Sequence, residues 1–113
     1  MTATTEYVLQ SHLQAAGTGI DAIMGDYTND SILVTQDATY RGLTEIRRFF
    51  SALFGGLPEK FFDGAKIERQ EIVGELAYIL WRAEPWVPFA TDTFLVRDGK
   101  ILVQTVTARL AQG

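Results

Sequence analysis

Asp92 is the residue that most invites chemistry. It stands in FATDTFLVRDGKILVQTV, residues 89 to 106, a carboxylate set among Phe, Ala, Thr, Leu and Val. An acid in such company is costly unless it is hydrogen-bonded, paired or protonated. Desolvation raises its pKa, which prepares a general acid or a neutral hydrogen-bond donor near pH 7. The structural alternative is a carboxylate satisfied by Thr105 or Thr107, or paired with Arg109. His12, the one histidine of the chain, is the second candidate. Its ordinary pKa lies near neutrality, so it can share a proton with Asp92 or donate to an oxyanion. A helical histidine also serves well as a solvated or core-edge residue.

Around these two stand candidates for holding a substrate. Tyr27, Tyr40 and Tyr78 carry hydroxyl donors, although tyrosines in cores do so too. Trp81 and Trp86 suit the wall of an apolar pocket, with Trp86 set between Pro85 and Pro88 at its rim. Thr35 and Phe54 complete the candidate substrate-binding set of Tyr27, Thr35, Tyr40, Phe54, Trp81 and Trp86.

The elements that must position these residues are readable from periodicity. Thr4 or Thr5 caps a helix running to about Ala16, with Val8, Leu9, His12, Leu13 and Ala16 on one side. Asp21 to Tyr27 reads as a short second helix after Gly17 and Gly19. SILVT, residues 31–35, is a short strand, and ATY a second one after a Gln36-Asp37 turn. LTEIRRFFSALF is the clearest helix, with Ile46, Phe49, Phe50, Leu53 and Phe54 as one apolar stripe that reads as core. Four strands follow, at 66–73, 76–84, 89–97 and 100–110.

Asp98-Gly99 between the last two strands is a strong two-residue hairpin signal. In a straight hairpin it sets Asp92 opposite Thr105 and Phe94 opposite Val103. Ala90, Asp92, Phe94 and Val96 then share a face with Ile101, Val103, Thr105, Thr107 and Arg109. Gln104 falls on the other face. Neither face is simply polar, so both read as covered, one by helices and one by a partner or another strand. Helices first and a long antiparallel sheet after them read as one α+β domain spanning residues 1–113.

The bulk composition narrows the function. The length of 113 residues suits one domain, and 47% hydrophobic residues make it globular. A net charge of −4 argues against a nucleic-acid partner. With no cysteine and one histidine, thiolate and multi-histidine metal sites are excluded. No stretch approaches a membrane span, and the N-terminus lacks a signal-peptide pattern, so a cytoplasmic protein is expected.

The ordered set VLQSHLQAAGTGIDAI, DYTNDSILVTQDATYRGLTEIRRFF and DTFLVRDGKILVQT resembles the nuclear-transport-factor-2-like superfamily, in its SnoaL-like and ketosteroid-isomerase-like branch. The resemblance spans nearly the whole chain. It implies a cone-shaped roll, helices packed on a curved, mostly antiparallel sheet around a deep pocket. It also implies a homodimer through the outer sheet face. Asp92 matches the place of the isomerases' oxyanion donor and is similar to the acid/base Asp of SnoaL-like cyclases. The place of the isomerases' tyrosine donor falls on His12 if the following loop is one residue shorter, and on Ser11 otherwise. Thr35 occupies the place of the isomerases' general base and has no carboxylate. The expectation is a small cofactor-free enzyme working by proton transfer, isomerase or cyclase in type, on an apolar carbonyl-bearing molecule. The alternative is a non-catalytic ligand-binding or dimerisation module, since fold does not fix function.

Overall fold

The computed structural model describes residues 4–111. The first helix, α1, covers Thr5–Ala16, and the Thr4 hydroxyl accepts from the Tyr7 N–H at its start. This satisfies one of the orphan donors of the first turn. Thr5, Val8, Leu9, His12 and Ala15 form its buried face. The second helix, α2, is shorter than its apolar pattern implies, covering Ile20–Met24. Gly25 caps it, so Asp26 and Tyr27 lie in the following loop, tied back by turn bonds to Ile23 and Met24.

Strands β1 (Ile32–Thr35) and β2 (Thr39–Arg41) form a small hairpin. The Thr35 hydroxyl accepts from the backbone N–H groups of Asp37 and Ala38 and so shapes its turn. Gly42 opens α3 (Gly42–Gly55) with φ of 80°, a conformation that favours glycine. The α3 stripe is not uniformly core. Ile46 and Phe50 are buried, Phe49 and Phe54 are half-buried, and Leu53 is exposed.

A 3-10 turn, η1 (Phe61–Gly64), leads into β3 (Ala65–Val73), β4 (Leu76–Ala83), β5 (Val87–Arg97) and β6 (Lys100–Arg109). A side chain could not replace Gly64 without disturbance, because a Cβ there would meet the Glu84 carbonyl oxygen at 2.7 Å. That close approach seats Phe61 against β4. Pro88 does not delay β5, which begins at Val87 with Pro88 exposed.

The six strands form one sheet in the order β2-β1-β6-β5-β4-β3. Neighbours are antiparallel except β1 and β6, which run parallel with Ile32 beside Val103. Register shifts interrupt β3/β4, β4/β5 and β5/β6. Such bulges bend a strand and increase its twist, and here they curve the sheet around α1 and α3. Leu9, Ile23, Leu33, Ile46, Phe94 and Ile101 fill the space between. The expected α+β cone is therefore the observed architecture.

The hairpin register differs from the straight one. Asp98 and Gly99 both have positive φ, 54° and 76°, as a type I′ turn requires. Arg97 pairs with Lys100 and Val96 with Ile101, but Leu95 then pairs with Val103. Leu102 is the extra residue. Beyond it every side chain of β6 changes face. Asp92 lies beside Val106 and Phe94 beside Gln104, so Thr105, Thr107 and Arg109 face away from Asp92 and Gln104 faces toward it.

Candidate functional site

Between the concave sheet face and the helices lies a cavity of about 1180 Å³. Ile79 and Trp81 of β4, Asp92 and Phe94 of β5, and Gln104 and Val106 of β6 contribute its floor. His12 and Leu13 come from α1, Phe49, Phe50, Leu53 and Phe54 from α3, and Phe61 and Phe62 from η1. Trp86, Leu57 and Pro58 also line it. Phe61 stands between Trp81 at 6.3 Å and Trp86 at 6.0 Å, centroid to centroid, forming an aromatic wall. The lining is mostly apolar with few convergent polar groups, the usual make-up of a small-molecule site.

Asp92 is 8% exposed. The Trp81 indole N–H donates to Oδ1 at 2.8 Å and the Gln104 amide donates to Oδ2 at 2.9 Å. Neither threonine nor Arg109 takes part, because the bulge turns all three to the opposite face. Burial pushes the Asp92 carboxyl above its usual range, against the opposing pull of the Trp81 and Gln104 bonds and of His12. Each donor occupies one lone-pair position on its oxygen. The remaining positions can hold a proton and present it to the cavity.

Behind Gln104 lies Tyr27. Its hydroxyl donates to the Gln104 amide oxygen, which aims the amide N–H group at Asp92. Burial, then the charges of Asp92 and Asp26, hold the Tyr27 phenol well above its ordinary pKa, so it remains a donor. Tyr27 is 4% exposed and is not among the cavity-lining residues. It supports the floor from beneath rather than meeting a ligand, contrary to the substrate-binding expectation.

His12 reaches the cavity from α1, buried edge-on against Phe94 and Tyr27 at centroid distances of 5.5 and 5.7 Å. Its Nδ1 lies 2.9 Å from Asp26 Oδ2, so its direct partner is Asp26 and not Asp92. Thr35, Tyr40, Phe54, Trp81 and Trp86 all line the cavity. Asp37, in the exposed β1–β2 turn, also borders it, as does exposed Lys66.

Two members of the site were missed by sequence reasoning. A straight hairpin puts Gln104 on the other face, and no glycine or proline marks the bulge that moves it. The apolar pattern places Asp26 within α2, which ends at Met24. The signal available for it was indirect, since a buried histidine needs a polar partner. Among the described residues, no group of three or more His, Asp or Glu side chains converges as a metal site would require. No helix among them is long and apolar enough to cross a membrane.

No protein-family profile matches the chain, and comparison with curated proteins gives no match. Solved structures do match. A nuclear-transport-factor-2-like protein of unknown function from Burkholderia xenovorans is 19% identical, with a TM-score of 0.75 over 96% of this chain and 85% of that one. A protein from Shewanella putrefaciens, provisionally named a SnoaL-like polyketide cyclase, is 12% identical with a TM-score of 0.74, over 92% and 79%. A provisionally named SnoaL-like isomerase from Agrobacterium tumefaciens is 14% identical with a TM-score of 0.68, over 91% and 95%. At these identities the likeness concerns fold, and the fold of this chain is nuclear-transport-factor-2-like.

Proposed function

We propose that the chain is a small cofactor-free enzyme that moves a proton within an apolar, carbonyl-bearing molecule, as an isomerase or cyclase does. The observation that carries this reading is Asp92, a buried carboxyl with raised proton affinity, held by two donors on the floor of an apolar cavity. The His12 imidazole borders the same cavity. Two fold neighbours carry the names polyketide cyclase and isomerase, which accords with it.

In this reading the substrate carbonyl oxygen meets the Asp92 O–H. His12 removes a proton from the adjacent carbon. The C–H electron pair becomes a C=C bond, and the carbonyl π pair moves onto oxygen, where the Asp92 hydrogen bond stabilises it. Return of the proton from His12 to another carbon of the conjugated system completes an isomerisation. Attack of the enolate carbon on a second carbonyl forms the new C–C bond and pushes that carbonyl's π pair onto its oxygen, and transfer of the His12 proton to this oxygen completes a cyclisation. Thr35 supplies no base, and this reading assigns that role to the imidazole, which borders the cavity beside Phe94. General acid–base groups in a dry site typically contribute about 10²–10⁴-fold.

The test is turnover of a panel of enolisable apolar ketones by the wild type, Asp92→Asn and His12→Gln. The reading requires a fall of about 10²–10⁴-fold in each variant. Equal rates in all three proteins would overturn it. A ligand bound in the cavity without turnover would instead support the binding-module alternative.

We also propose that the chain pairs with a second copy through the outer face of its sheet. The helices pack on the opposite face. Tyr78, Leu80, Leu95 and Val103 stay only half-buried on the outer one, with Leu76 and Phe89 exposed beside them.

A further inference from the structure

We propose that Asp26 is a positioning residue that fixes the tautomer of His12, so that Nε2 offers its lone pair to the cavity. The proposal deepens the proton-transfer reading above and names what makes the imidazole a directed base.

The geometry is specific. His12 Nδ1 and Asp26 Oδ2 are 2.9 Å apart, with side chains 7% and 16% exposed. An ionised carboxylate only accepts hydrogen bonds, so Nδ1 carries the hydrogen and the neutral ring keeps its acceptor at Nε2. Nε2 has no hydrogen-bond partner among the described residues and is not among their sealed, unpartnered atoms. Phe94 and Tyr27 grip the ring edge-on, so rotation that would exchange the two nitrogens is opposed.

Asp26 is itself held by the hairpin that carries Asp92. Its carbonyl accepts from the Ile101 N–H at 2.8 Å, and its N–H donates to Ile23 at 3.0 Å. Lys100 donates to the Gly25 carbonyl at 2.7 Å, and the Ser31 hydroxyl donates to the Ile101 carbonyl at 2.6 Å. The loop bearing Asp26 is thus pinned where β6 leaves its turn, one residue before the bulge. The ionisable groups around the imidazole are Asp26, the Tyr27 phenol and, across the cavity, Asp92. A mere ion pair would stabilise the fold with either nitrogen as donor. A positioning pair selects one.

The deciding measurement is the tautomer of His12 in full-length protein labelled with ¹⁵N-histidine. Because the chain has one histidine, both ring nitrogens assign without ambiguity from long-range ¹⁵N–¹H correlations. At an alkaline pH where the ¹⁵N shifts themselves report a neutral ring, the wild type is expected to show Nδ1 protonated and Nε2 bare. An Nε2-protonated ring in the wild type would overturn the proposal, whether or not any variant folds. Asp26→Asn, whose amide can donate or accept, is expected to lower the Nδ1-protonated fraction several-fold, and Asp26→Glu to restore part of it. An unchanged fraction in Asp26→Asn would also overturn it. The readout needs no substrate. Absence of ketone turnover would therefore refute the proposed function and leave the tautomer result to decide this inference alone.

Discussion

Gln104 donates to Asp92 across two neighbouring strands, Nε2 to Oδ2 at 2.9 Å, while its own amide oxygen accepts the Tyr27 hydroxyl. The amide therefore relays a donor from a buried phenol to a buried acid. Gln104→Leu removes the donor that draws the Asp92 pKa down and strands the Tyr27 hydroxyl. A carbon NMR titration of Asp92 is expected to show its pKa higher than in the wild type. Denaturant unfolding is expected to show a loss of about 1–3 kcal/mol, the usual cost of an unsatisfied buried polar group. An unmoved or lowered Asp92 pKa would break the relay argument.

The raised carboxyl also makes stability depend on pH. Asp92 holds its proton more tightly folded than unfolded, where the ordinary value is about 3.8. Between those two values the folded state binds more protons, so stability from this group falls as pH rises and then levels off above the folded pKa. Asp92→Asn removes that slope. Chemical denaturation across a pH series is expected to show the variant gaining on the wild type as pH climbs from about 4. A difference that is flat with pH, or of opposite sign, would contradict the raised pKa.

Trp86 forms the outer end of the aromatic wall, 6.0 Å from Phe61. A neutral solvatochromic dye is expected to bind the cavity and quench tryptophan fluorescence. Trp86→Ala should weaken it by about 1 kcal/mol, roughly five-fold. Identical affinity in the two proteins would place the dye elsewhere.

Pairing through the outer sheet face predicts a sedimentation equilibrium mass twice the 12.6 kDa of one chain. Leu80→Lys sets a charge in the middle of that face and is expected to give single chains. A wild type that sediments at one chain mass would refute the dimer.

Most of the fold was legible because its signals are local. Thr4 as a cap, the α3 stripe and the Asp98-Gly99 turn each announce an element within a few residues. Asp92 and His12 stood out because their polarity conflicts with apolar neighbours. The partners of both were not legible, for two physical reasons. ILV after Lys100 offers apolar side chains to either face, so alternation cannot reveal that Leu102 is bulged. Asp26 falls inside the apolar pattern of a second helix running to Tyr27, whereas the helix stops at Met24 and Asp26 follows Gly25 in a loop. Tyr27 fitted an apolar helix position, but α2 stops at Met24 and leaves Tyr27 free to reach Gln104. The turn at η1 is held by the close approach of Gly64 to Glu84, a contact the sequence around FFDG does not encode locally.

The parallel pairing of β1 with β6 has a consequence for how the chain folds. His12 and Asp26 are 14 positions apart, and Asp92 and Gln104 are 12 apart, so each pair is local to its own half of the chain. The Tyr27–Gln104 bond that links the halves spans 77 positions. Contacts of that separation form only after a large loop-closure entropy has been overcome. The imidazole and the carboxyl therefore meet across one cavity only once the first strand has docked beside the last. A chain in which that docking has not occurred would keep its imidazole and its carboxyl apart, and proton transfer would report completed folding.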